Sequence, residues 1–130
     1  EKIGGGSMKS PRVELQRMSF VLPFPPSLNH YWRHGSKGTY ISAEGKAYRA
    51  AVLRLLRSPM VLFPSERLFV RITLHPKTRM RFDLDNRPKG LLDALTKAGI
   101  FADDSQIDRL EIVRGEKAAE AHCVVEVARL

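Results

Sequence analysis

Met18, Phe20, Leu22 and Phe24 alternate with Ser19 and Val21. This period-two spacing predicts a first strand, which Pro23, Pro25 and Pro26 bring to an end. From Ser27 to Thr39 (SLNHYWRHGSKGT) neither the strand nor the helix period holds, and the Gly, Ser and Asn content predicts a loop. Ser42 then offers an N-cap for a helix to about Arg57. Its Tyr48, Val52, Leu55 and Leu56 share one face, and Lys46, Arg49, Arg54 and Arg57 lie largely opposite. Leu68, Val70, Ile72 and Leu74 alternate with Phe69, Arg71, Thr73 and His75, which is the clearest strand signal in the chain. Leu91, Leu92, Leu95 and Ala98 recur at helical spacing. Pro88 fits only the first turn of that second helix, and Gly99 suits its C-terminal end. Leu110 with Ile112, and Cys123 with Val125 and Val127, predict two last strands joined by the polar turn RGEKAAEA. The order is β-α-β-α-β-β. Two helices on one face of a small mixed sheet bury the apolar faces of such a string, so the expected class is a two-layer α+β fold.

The 130 residues fit one domain of the usual ~100–200 residues. Glu1–Ser7, EKIGGGS, reads as an added linker, residues 8–17 as an extension, and residues 18–130 as the domain itself. No apolar run approaches the ~18 residues of a membrane span. Cys123, the single thiol, has no partner for an internal disulfide, so a reducing cytoplasmic setting is expected. Charge changes the picture further. Up to residue 82 there are 15 Lys and Arg against four Glu, and from residue 83 seven against ten acids, for a net +8. All six Asp fall between Asp83 and Asp108. A basic surface concentrates nucleic acid by displacing its counterions, and acids set into that surface repel the same ligand unless a cation sits between them. A metal-dependent nuclease resolves the conflict. A non-catalytic nucleic-acid-binding domain, with its acids serving as caps and turn residues, is the alternative.

In DLDN, Asp83 and Asp85 are two residues apart, and in extended backbone such side chains project to the same side, where both reach one cation. Mg²⁺ keeps several of its waters, so two or three carboxylates suffice to hold it. The competing reading is that one of these acids, or Asn86, caps the helix that follows. A helix of about 12 residues is ~18 Å long, and the residues from Gly99 to Asp104 reach ~20 Å when extended, so Asp104 can return beside Asp83 and Asp85. Only one of the adjacent Asp103 and Asp104 can face that ion, and a solvated turn is the alternative for both. Lys89, one turn into the helix, is placed to neutralise charge on a phosphate, or else to pair with Asp93 four residues on. Asn29, Tyr31, Trp32 and Arg33 combine stacking surfaces with donors for phosphates or unstacked bases. Lys46 and Arg49 on the first helix, Lys77, Arg79 and Arg81 in the hinge, and Asn86 complete the expected DNA-contacting set. His30 and His34 lack the further ligands a zinc site needs.

FPPSLNHYWRH, YISAEGKAYR and FDLDNRPKGLLDALTKAGIFADDSQI, in that order, resemble the successive blocks of the RusA family of Holliday-junction resolvases, many of them encoded by phages and prophages. The resemblance runs from about Met18 to Leu130. It implies a dimeric endonuclease of DNA recombination and repair that depends on Mg²⁺, with Mn²⁺ as a substitute, and cuts four-way junctions symmetrically. It further implies that Asp83, Asp85 and Asp104 hold the metal and that Lys89 is the essential lysine.

Overall fold

The computed structural model describes residues 17–79 and 81–130. The expected linker 1–7, and all of the expected extension 8–17 except Arg17, lie outside the described residues. Strand β1 (Arg17–Pro23) leads through Pro25 and Pro26 into a one-turn helix α1 (Leu28–Tyr31). A short hairpin follows, β2 (Trp32–Gly35) and β3 (Gly38–Ile41), where the sequence predicts a loop. Helix α2 (Ala43–Leu56) starts at Ser42, whose hydroxyl oxygen accepts the Gly45 N–H at 2.9 Å, as its N-cap role requires. Strand β4 (Leu68–His75), helix α3 (Pro88–Lys97) and strands β5 (Ile107–Arg114) and β6 (His122–Arg129) complete the chain. Pro88 occupies the first turn of α3, and Gly99, at φ 86°, follows its C-cap Ala98, both as expected.

The main sheet has the order β1-β6-β4-β5, with β4–β5 parallel and the other two pairings antiparallel. The two last strands therefore do not pair with each other. The segment after β5 crosses the end of β4, where Gly115 and Ala118 N–H groups donate to the carbonyls of Leu74 and Pro76, both at 2.8 Å. This order gives β4, the most regular apolar strand, a partner on both edges and satisfies its buried backbone groups.

Across the sheet Leu22, Cys123 and Leu74 lie in one row, and Ile72 joins Val125 and Ile112 in another. Those faces meet Leu91, Leu95, Val52 and Tyr48 from the helices in a single core. Burial pushes the Cys123 thiol up to about 12, so it stays protonated and inert in the folded chain. The reverse face of the sheet is open and carries charge pairs such as Arg71 with Glu111 and Glu126. The fold is two-layered α+β, as expected. Leu55 departs from expectation at 60% exposure. Leu55 lies in the last turn of α2, at the edge of the buried face.

Tyr31 is completely buried where the three helices meet. A Cβ on Gly90 would stand 2.5 Å from its ring, and one on Gly45 would stand 2.5 Å from its carbonyl oxygen. Gly90→Ala gains at most about 1 kcal/mol of helix propensity but overpacks this contact, which typically costs about 1–3 kcal/mol. A net loss of unfolding free energy is therefore expected from urea denaturation, and a stabilised variant would show that the ring has room to move.

Candidate active site

A parallel pairing needs a crossover connection, and the one between β4 and β5 holds α3 with the predicted acids at its two ends. Asp83 is extended, at φ −83° and ψ 128°, but Asp85 lies in the 3₁₀ turn Leu84–Asn86 that follows. The two acids are thus not successive same-side positions of an extended segment as the spacing suggests. They are not caps either. Asp83 makes no side-chain cap hydrogen bond, and the N-cap of α3 is Arg87, likewise without one.

Past α3 the adjacent pair divides its work. Asp103 caps the 3₁₀ turn Asp104–Gln106, its Oδ1 accepting the Ser105 N–H at 3.1 Å. That backbone hydrogen bond holds the Asp103 carboxyl below its usual range. Gln106 closes the box: its Oε1 accepts the N–H groups of Ala102 and Asp103, while its Nε2 donates to the carbonyls of Phe63 and Glu66. Asp104 is exposed, with no structural partner beyond its neighbour Asp103.

All six aspartates sort in this way. Asp93 accepts from Tyr31 and Arg49, Asp103 from Ser105, and Asp108 from Arg67. Asp83, Asp85 and Asp104 are exposed and make no ion pair among the described residues, and the side-chain partner of Asp104 is only its neighbour Asp103. The free acids are the three that the motif singles out.

Their expected convergence is not formed. Asp83 lines a cleft with Arg81, Phe82 and Arg114, whereas Asp104 lines a different one with Lys89, Asp93, Thr96 and Lys97. Among the described residues no three His, Cys, Asp or Glu side chains gather closely enough to hold a metal ion. The returning chain packs Ile100 and Phe101 into the core, and Asp104 lies along the flank of α3, in a cleft that runs from Lys89 to Lys97. As exposed oxygen donors the three carboxylates suit Mg²⁺, and holding one ion together would require Asp104 to draw toward Asp83 and Asp85.

Lys89 is exposed and opens on two clefts, the one with Asp104 and one of about 390 Å³ with Leu28, Asn29, Trp32, His34 and Thr39. It does not form the i+4 pair with Asp93, whose Oδ2 accepts from Arg49 Nη2 at 2.8 Å and from the Tyr31 hydroxyl at 2.5 Å. Tyr31, expected as a stacking surface, is thus a core residue, and burial raises its pKa. Arg49, expected to contact DNA, has its guanidinium committed to Asp93, and the pair ties α2 to α3. Asn29, Arg33 and Lys46 remain exposed, as do Lys77, Arg79 and Arg81 of the hinge, whereas Trp32 and Asn86 are half-buried. The Trp32 indole N–H is buried without an acceptor among the described residues. Sequence reading misses Arg114 and Arg87, which flank the Phe82 ring at 4.4 and 5.6 Å beside Asp83. Arg114 is 32 residues from Phe82, so no local pattern marks it, whereas Arg87 lies within the motif block itself.

Exposed acids and a lysine around one crossover helix of a basic α+β domain are the groups that metal-dependent phosphodiester cleavage calls on. The model of the family described as "Endodeoxyribonuclease RusA" matches residues 23–128. The chain is 38% identical over 117 residues, 89% of its own length and 98% of the relative's, to the crossover junction endodeoxyribonuclease of Enterobacteria phage HK97. It is 43% identical over 101 residues to that of Escherichia coli K12, covering 77% and 84% of the two chains. Over 95 residues it is 45% identical to that of Enterobacteria phage 82, covering 72% and 79%. The chain belongs to the RusA endodeoxyribonuclease family.

Proposed function

We propose that this chain is a Mg²⁺-dependent, structure-specific endodeoxyribonuclease that resolves four-way DNA junctions by paired, symmetric cuts. The partition of the six aspartates carries the reading: three are held by structural partners, and the three that remain are the motif acids Asp83, Asp85 and Asp104. The crossover-junction activity named for the phage HK97 and Escherichia coli relatives supports the substrate. Asp83, Asp85 and Asp104 are the proposed metal ligands, and the bound ion would supply a nucleophilic water and offset charge on the scissile phosphate. Lys89 holds its ammonium toward the phosphate, Trp32 and Asn29 bound the cleft in which the strand lies, and Arg33 is exposed beside them. Paired cuts need two sites, and one chain offers one set, so a C₂ homodimer matched to the two-fold symmetry of the junction is part of the proposal. The setting is the DNA of a bacterial or phage-infected cell. Among the described residues no helix is long and apolar enough to cross a membrane.

The second reading, a non-catalytic DNA-binding domain, draws on the open arrangement of the carboxylates. A synthetic four-way junction labelled on each strand separates the two. With Mg²⁺, nicks at symmetric positions in two opposite strands are expected, and with EDTA none. Tight binding without nicks in Mg²⁺ or Mn²⁺ would favour the binding domain, and nicks in EDTA would remove the metal from the proposal.

A further inference from the structure

We propose that Arg114 and Lys117, with Arg79, form a phosphate-binding groove that guides a DNA backbone away from Asp83. The proposal rests on the nuclease reading above and adds Arg114 and Lys117 to the already expected contact Arg79. A cleft of about 670 Å³ runs between the hinge after β4 and the segment after β5, with Arg79 on one wall and Arg114 and Lys117 on the other. It shares Phe82 and Arg114 with the cleft that contains Arg81 and Asp83, so the two form one continuous path.

The groove is held by the fold. Arg114 pairs in register with Leu74, so its side chain leaves the sheet on the helix side. There it lies over the Phe82 ring at 4.4 Å and donates from Nη2 to the Phe82 carbonyl at 2.9 Å. Phe82 is itself fixed edge-on against Phe24, with centroids 5.4 Å apart. A guanidinium carries five donors, and this contact uses one, so a held, charged fork faces the cleft. Lys117 sits in a segment pinned to β4 and the residue after it by the Gly115 and Ala118 hydrogen bonds and by His75 Nδ1 against the Glu116 carbonyl at 2.8 Å. Arg79, Arg114 and Lys117 make no ion pair among the described residues, and Glu116 is the one acid lining the groove. An elongated cationic channel that leads from an uncommitted carboxylate fits a polyanionic strand.

The test is junction binding in EDTA across a salt series, for the full chain and for Lys117→Ala, Arg114→Gln and the double variant. Each single change is expected to weaken binding several-fold and to lower the salt slope by about one, and the double change by about two. Glu116→Gln is expected to tighten binding. Neutralising single phosphates along one junction arm with methylphosphonates locates the contact. The phosphate whose neutralisation weakens the native chain should have no effect on the double variant. Lys117 is exposed and makes no side-chain hydrogen bond among the described residues, so its replacement tests the groove without disturbing Phe82. Arg54, exposed on α2 and far in sequence from the groove, is the charge control. An equal loss from Arg54→Ala, or salt slopes unchanged by Lys117→Ala and Arg114→Gln in a chain that still cuts junctions, would overturn the groove and leave the nuclease reading standing. A native chain that cuts no junction would instead sink that reading, whatever the slopes show.

Discussion

Asp104→Asn is expected to abolish junction cleavage while junction binding stays intact or tightens, and Asp83→Asn and Asp85→Asn should behave alike. Each change removes one negative charge from a surface that must receive phosphates, which favours binding. Each also replaces an anionic two-oxygen ligand with a neutral amide that offers one weaker oxygen. Even groups that only support a metal ligand cost about 10–100-fold when lost, so loss of a ligand is expected to cost on the order of 10³-fold or more, about 4 kcal/mol in the barrier. Asp108→Asn is the informative contrast. Its carboxylate pairs with Arg67 at an exposed position, an interaction typically worth under about 1 kcal/mol, so cleavage should persist. Single-turnover rates together with binding isotherms check the set. Full activity from any of the three motif variants would take that residue out of the site.

Lys89→Ala is expected to slow cleavage at saturating junction by about 10²-fold or more, near 3 kcal/mol, with a smaller loss of affinity. The residue is positioned for this because Asp93 is already engaged by Arg49 and Tyr31, which leaves the ammonium without its helical partner. Lys89→Arg keeps the charge and should recover part of the rate. Weaker binding with an unchanged rate would make Lys89 an ordinary backbone contact.

The parts of the fold written in local chemistry were legible. Ser42, Pro88 and Gly99 mark helix ends through their own backbone preferences, and β4 shows its buried face in strict alternation. The hairpin Trp32–Gly35/Gly38–Ile41 was not legible, because its four-residue strands bury little and so carry no period, although the turn GSKG was present. Tyr31 misled for a different reason. Its neighbours Trp32 and Arg33 are half-buried and exposed, but the space that takes its ring is made by Gly45 and Gly90, far along the chain. At the site, spacing correctly required that one of Asp103 and Asp104 turn away, and Asp103 does so as a cap. Chain length allowed Asp104 to reach Asp83 but could not require it, since the packing of Ile100 and Phe101 decides where the return segment runs.

Strand β6 lies between β1 and β4, so the first described strand and the central one are both held by the last eight residues but one, His122–Arg129. Arg17 pairs with Ala128. Contacts so distant in sequence close late and make folding slow compared with helical bundles. During synthesis β4, β5 and the crossover carrying Asp83, Lys89 and Asp104 precede β6, so they can pair and pack while one edge of β4 is still open. A chain stopped before His122 would leave β1 without a partner and one edge of β4 unpaired, an exposed template for joining another chain.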